Sequence, residues 1–199
     1  MERDLAGRIV ALVSPTGLRT SYSYDACGRM VDVTDPAGRV TRYSYTSDFQ
    51  VATVTYPTGE TARYEYDAMG RVVLSHVPGA GVSQYRYDPC GRLVFSCDLV
   101  YGQRHFSYDL AGQLVAATNP AGGVSRYGYD RCGRLVTRTD PGGGLTTYQY
   151  NECGQMIPAT DPLGRVTEYT WDKSGTLAAI TRPDGTVVSR RLGPKGVEE

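Results

Sequence analysis

Along most of the chain apolar and polar residues alternate in short runs, and each run ends at a turn that in most cases carries glycine. Within residues 39–45 the odd positions hold Arg39, Thr41, Tyr43 and Tyr45 and the even ones Val40, Arg42 and Ser44. A period of two is the signature of a β-strand. Residues 29–34 form a second run of strand length, rich in Val and Thr. Turn signals flank these runs. At 25–28 an Asp can hydrogen-bond amides two or three residues on while Gly28 supplies a positive φ. At 35–38 Pro36 presets φ near −65° and Gly38 again permits the unusual dihedral. Two strands between two reversals predict an antiparallel hairpin, with the next turn leading into the next hairpin.

The same hairpin is then spelled again and again. YDACGR at 24–29 returns as YDAMGR at 66, YDPCGR at 87, YDLAGQ at 108 and YDRCGR at 129, and the anchor aromatics Tyr24, Tyr45, Tyr66, Tyr87, Tyr108, Tyr129, Tyr150 and Trp171 fall 21 residues apart. A fixed period in the twenties marks stacked units that bury apolar surface only against their neighbours. The chain therefore reads as all-β: one array of about nine units over residues 1–189, followed by a polar tail at 190–199. The repeat anchors are Tyr24, Asp25 and Gly28; Tyr66, Asp67 and Gly70; Tyr87, Asp88 and Gly91; Tyr108, Asp109 and Gly112; Tyr129, Asp130 and Gly133; and Tyr150 with Gly154. Each anchor ring shares a face with the aromatic two residues before it, as Tyr43 does with Tyr45 and Phe106 with Tyr108. Equivalent strands lie roughly 9.6 Å apart with a strand of opposite sense between them, and Leu93, Leu114 and Leu135 are placed to fill those gaps.

Some units depart from the pattern. YTSDFQ at 45 puts Phe49 where its siblings have glycine. A side chain forced to positive φ costs on the order of 1–3 kcal/mol, so this turn is expected to differ from the others. DLVYGQRHF from Asp98 lacks the proline of the second turn, and Arg3 and Arg190 stand where tyrosine is expected.

Composition supports strands and tight turns: of 199 residues 24 are glycine, and tyrosine outnumbers phenylalanine by 16 to 3. The formal net charge is zero with charges spread evenly, which argues against a nucleic-acid or anionic-membrane surface. No apolar run approaches the roughly 20 residues of a membrane-spanning helix. The opening MERDLAGRIV has no basic segment followed by an apolar one, so synthesis in the cytoplasm without a signal peptide is expected.

YDxxGR followed by DPxG at a 21-residue period resembles the Rhs, or YD-repeat, proteins, over about residues 5–189. That family includes Rhs effectors of type VI secretion, shell-forming components of Tc toxins, wall-associated proteins and teneurins. The resemblance implies a long β-ribbon spiralling into a hollow shell, which in the toxins encloses a toxic C-terminal domain. It further implies a secreted or surface-delivered bacterial protein whose partners are other repeat segments or a cargo polypeptide. Two features depart from the family: complete shells use many more repeats, and neither the aspartyl self-cleavage core nor a C-terminal toxin follows the repeats, the last residues being LGPKGVEE.

Candidate chemistry is sparse. Cys27, Cys90, Cys132 and Cys153 share the position before the turn glycine. At roughly 9.6 Å between neighbours they lie beyond the roughly 7 Å that a disulfide tolerates, and there is no CxxC pair, so free thiols are expected rather than a disulfide or metal site. His76 and His105, the two histidines, converge with no nucleophile or carboxylate. PGGG at 141–144 lacks a following helix and the GK[ST] ending of a phosphate loop. The Asp-Pro steps at Asp35, Asp140 and Asp161 and the acidic column that ends at Asp172 are explained by turns rather than by self-cleavage or calcium. The sequence therefore predicts no enzyme, cofactor or metal. It supports a structural wall that shields a partner polypeptide, or alternatively a module whose tyrosine face binds a glycan or cell-surface protein. Burial of Tyr43, Tyr64, Tyr85, Tyr127 and Tyr148 separates the two. Open strand edges predict self-association, which a concentration-independent monomer in ultracentrifugation would contradict.

Overall fold

The computed structural model describes residues 1–189, which form nineteen β-strands and no helix. The tail at 190–199 and Arg190 lie outside the described residues. The chain falls into two compact units, Met1–Gln103 and Arg104–Glu199.

The first unit contains β1 (Glu2–Arg3), β2 (Ile9–Val13), β3 (Arg19–Tyr24), β4 (Met30–Thr34), β5 (Val40–Tyr45), β6 (Val51–Thr55), β7 (Thr61–Tyr66), β8 (Val72–Val77), β9 (Gly81–Tyr87) and β10 (Leu93–Asp98). Each pairs antiparallel with the next, from β1–β2 through β9–β10. The second unit takes up within β11 (Gly102–Tyr108) and continues through β12 (Leu114–Thr118), β13 (Val124–Tyr129), β14 (Leu135–Thr139), β15 (Leu145–Tyr150), β16 (Met156–Thr160), β17 (Val166–Trp171), β18 (Leu177–Thr181) and β19 (Val187–Ser189). Its strands likewise pair each with its successor.

The two turn families of the sequence share one backbone geometry. In the first, the Gly28 amide donates to the Asp25 carbonyl at 3.0 Å and the Asp25 amide to the Arg29 carbonyl at 2.9 Å. In the second, Gly38 and Asp35 repeat this at 2.9 and 3.0 Å. Glycine holds the left-handed position of each, at φ 81° and 79°, and closes a type I turn with a bulge that matches the twist of the flanking strands.

A second bulge escapes the alternation rule. Tyr43 faces Val54 and Ser44 faces Thr53, but Tyr45 faces Val51, so the ladder skips Ala52. The same slip recurs in β3–β4, β7–β8, β9–β10, β11–β12, β13–β14 and β17–β18. It brings residues three apart, Val51 and Val54 or Met30 and Val33, onto one face beside the rings, where strict alternation would separate them.

Little is buried in the ordinary sense. Ala11, Ala62 and Phe95 are the buried hydrophobic residues among those described, and no large side chain is fully enclosed. Tyrosine rings laid over the sheet stand in for a second layer, and Ala62, at 0% exposure, sits on the ring-bearing face opposite Val54.

The turn at Phe49 corrects the sequence expectation. It keeps the common geometry: the Thr46 amide donates to the Gln50 carbonyl at 2.7 Å and the Phe49 amide to the Thr46 carbonyl at 3.2 Å. Phe49 itself adopts φ 65°, the one non-glycine residue with positive φ among those described. Twist matching by the flanking strands overrides the local preference of the side chain, whose ring lies 63% exposed with the Arg29 guanidinium 5.1 Å from its centroid. Phe49→Gly should therefore stabilise the chain by about 1 kcal/mol, because the relief of backbone strain outweighs the loss of cation–π attraction. An unchanged or lower urea midpoint would refute this.

Candidate functional site

Each YD turn builds a small polar latch. Asp25 Oδ1 accepts from the Cys27 amide at 2.9 Å and the Arg29 amide at 2.9 Å, so its bonds reach two and four residues on. Its second oxygen accepts Arg29 Nε at 2.7 Å. Asp67 binds Met69 and Arg71 in the same way, and Asp130 binds Cys132 and Arg134. Asp88 takes the amide and Nε of Arg92 at 2.9 and 2.6 Å. The Asp25 carboxyl is held below its ordinary pKa, first by the Arg29 amide bond and then by the guanidinium, against an opposing push from desolvation. In Asp67 the Arg71 side chain is the larger cause. Asp109 receives the Gln113 amide at 2.8 Å, and Asn151 takes the Asp position in the turn after Tyr150, receiving the Gln155 amide at 2.9 Å.

The latch arginine reaches the next repeat. Arg29 Cζ lies 4.9 Å from the Tyr45 ring centroid, Arg71 4.6 Å from Tyr87 and Arg134 4.9 Å from Tyr150. Arg134 Nη1 also donates to the Asn151 carbonyl at 3.3 Å, and Arg71 Nη1 to the Asp88 carbonyl at 3.4 Å. Where glutamine replaces arginine the bridge persists without charge: Gln50 Nε2 donates to the Gly70 carbonyl at 2.6 Å. A Cβ on Gly70 would lie 2.9 Å from that nitrogen, so Gly70, already at φ 79°, is also needed for close approach.

The anchor ring completes the unit. The hydroxyl of Tyr45 donates to the Met30 carbonyl at 2.6 Å. The β4–β5 ladder runs from Thr34↔Val40 to Asp32↔Arg42 and goes no further, which leaves the Met30 carbonyl without a strand partner on that side. Buried backbone carbonyls demand partners, and the phenol of Tyr45 on β5, reaching onto the paired strand β4, supplies one. Tyr24, Tyr66, Tyr87, Tyr129 and Tyr150 do the same for Ile9, Val51, Val72, Leu114 and Leu135, and Trp171 Nε1 does so for Met156 at 2.7 Å. Tyr108 closes β11 opposite Leu114, and Gly91, Gly112, Gly133 and Gly154 all hold positive φ.

A family model described as the teneurin YD-shell matches residues 1–184. The chain belongs to the teneurin YD-shell family. Among solved structures, the crystal structure of TcdB2-TccC3-TEV matches this YD-shell chain at TM-score 0.73 and 18% identity, covering 97% of the chain and 12% of that one. TcdB2-TccC3-Cdc42 matches at 0.72 and 18%, with the same coverage. TcdB2-TccC3 without its hypervariable C-terminal region matches at 0.70 and 19%, covering 90% and 11%. These likenesses show the fold, and the YD-shell chain spans about an eighth of the length of those proteins or less. No curated protein matches it.

The remaining candidates are scattered over the YD-shell sheet. Cys27, Cys90, Cys132 and Cys153 are free and exposed at the turn tips. His76 lies exposed on β8, opposite Arg63 and Val82, and His105 lies exposed on β11, opposite Thr118. Asp35, Asp140 and Asp161 cap their own turns as Asp25 does. Asp161, in the DPLG step, receives the Leu163 and Arg165 amides and Arg165 Nε, and is held below its ordinary pKa chiefly by the Arg165 amide. Among the described residues no three His, Cys, Asp or Glu side chains gather as metal ligands, and no helix is long and apolar enough to cross a membrane. Tyr43, Tyr64, Tyr85, Tyr127 and Tyr148 are half-buried, neither sealed nor free.

Proposed function

We propose that this YD-shell segment is part of the wall of a larger bacterial Rhs-like toxin or related secreted protein, made in the cytoplasm and delivered outside it, in which the sheet encloses or shields a partner polypeptide. The observation that carries this is the ring-to-carbonyl bond recurring in step with the 21-residue period, each one tying a repeat to the strand before it. Such a device suits a continuous barrier, because each unit is closed by its successor and none of the described units presents a converged set of reactive groups. The Tyr, Asp and Gly anchors then serve structure, and the mechanism is steric.

Limited proteolysis of the full natural gene product tests the proposal. A resistant body containing residues 1–189, co-purifying with a protected non-repeat segment, is expected. Digestion of every non-repeat segment at the rate of an exposed linker would contradict it.

A second reading rests on the half-exposed first ring of each pair: a glycan or cell-surface protein docks on that row. It requires saturable binding that is lost on replacing Tyr64 and Tyr85 together with serine.

A further inference from the structure

Along the edge of the first unit that carries the YD turns, the turns at 4–8, 25–29, 67–71 and 88–92 keep their charge inside. Asp4 pairs with Arg8 at 2.7 Å, Asp25 with Arg29 at 2.7 Å, Asp67 with Arg71 at 2.6 Å and Asp88 with Arg92 at 2.6 Å. At 46–50 this arrangement is inverted. Thr46 and Gln50 replace the pair, and the carboxylate of that turn, Asp48, stands exposed at its tip and forms no ion pair among the described residues. Beside it is Phe49, whose ring is 63% exposed although its backbone takes φ 65°. Strain of this kind persists at sites where the surroundings or a function hold it, and burial of the ring does not offset it here. The ring is also fixed in place: the Arg29 guanidinium stacks on both Tyr45 and Phe49, 4.9 and 5.1 Å from their centroids, with its own charge met by Asp25. Gln50 bolts this tip to the next one through its 2.6 Å bond to the Gly70 carbonyl, and on that adjoining tip Met69 is 71% exposed. An uncompensated acid, a pinned aromatic face and a thioether thus share one stretch of an edge whose other charges are paired.

We infer that the tips at 46–50 and 67–71 form a docking site for an arginine of a partner polypeptide that has an apolar residue beside it. The unpaired carboxylate selects a cation, and the pinned ring selects a flat one. A guanidinium is both: it stacks on the solvent-facing side of Phe49 and forks onto Asp48, whereas an ammonium meets the acid as a point charge. The neighbouring apolar side chain covers Met69, whose thioether adapts to its shape. Glycine at position 49 would relax the turn and remove the platform, so binding accounts for the strain that the chain retains there. The site needs neither the wall nor the ring row, and each reading can fail alone.

The probe is the peptide acetyl-Leu-Arg-Leu-amide, titrated into the isotopically labelled full chain and followed by NMR. Saturable shifts at Asp48, Phe49 and Met69, with a Kd of about millimolar order and weakened by added salt, are expected. The same peptide with citrulline for arginine keeps the shape and loses the charge, and should bind at least about threefold more weakly. Asp48→Asn and Phe49→Gly should each weaken binding of the arginine peptide about three- to fivefold. Phe49→Gly is the variant predicted above to be more stable than the parent, so its loss of binding separates recognition from folding. Four outcomes overturn the inference: no saturable shift, shifts centred on other carboxylates such as Glu60 or Glu65, equal affinity for the citrulline peptide, or undiminished binding by Phe49→Gly.

Discussion

Tyr45→Ala is expected to destabilise the first unit by about 2–3 kcal/mol and Tyr45→Phe by about 1 kcal/mol, read as shifts in urea midpoint at constant slope. The larger loss has three parts: the half-buried ring, its contact with the Arg29 guanidinium at 4.9 Å, and the 2.6 Å bond to the Met30 carbonyl. Phenylalanine keeps the first two and leaves the carbonyl unsatisfied. The two substitutions thus separate ring from hydroxyl. Equal effects would mean that the hydroxyl bond carries the energy alone, and negligible effects would mean that the rings are ornaments on a sheet held by its ladder. Because repeats contact only their neighbours, hydrogen exchange should rise in β4 and β5 well before it rises in β8.

Acid should loosen the array through its turns. Asp4, Asp25, Asp35, Asp67, Asp88, Asp130, Asp161, Asp172 and Asp184 are all held below the ordinary carboxylate pKa. The cause is chiefly a backbone amide in most of them, the Arg71 side chain at Asp67 and the Ser174 hydroxyl at Asp172. A carboxyl whose pKa is lower folded than unfolded stabilises the fold above its unfolded value, about 3.9, and that contribution disappears as pH falls through the folded value. Stability should accordingly be level from pH 7 to about 5 and fall steeply below about 4. General charge repulsion in acid gives a similar fall, so the discriminating variant is Asp25→Asn, Asp67→Asn, Asp88→Asn, which retains the turn acceptor without titrating. It should be less stable than the parent at pH 7 and show a shallower acid limb. An acid limb of unchanged depth in that variant would assign the effect to net charge.

Much of the fold is legible in the sequence because its determinants are local. Glycine and Asp-Pro steps fix the reversals, and alternation in residues 39–45 fixes the strand that is observed as Val40–Tyr45. What the sequence hides is set between repeats. The skipped residue Ala52 leaves no signature, because VATVT reads equally well with either valine inward. Arg29 reads as a strand residue, yet it closes the turn through Asp25 and covers the ring of Tyr45 in the next unit. The bond from Tyr45 to Met30 follows from where the β4–β5 ladder ends, which depends on register rather than composition. At Phe49 the difference runs the other way: local preference favours a different turn, and the flanking strands impose the common one.

The 21-residue block, from one YD turn to the next, is the interchangeable unit of this sheet. Deleting residues 67–87 joins Tyr66 to Asp88 and replaces one complete latch by the next. The shortened chain is predicted to keep an all-β circular dichroism spectrum and a cooperative urea transition. A ten-residue deletion, 67–76, reverses the sense of every strand that follows and should lose both. If the two deletions behave alike, the repeat is a pattern in the sequence and not the unit of the fold.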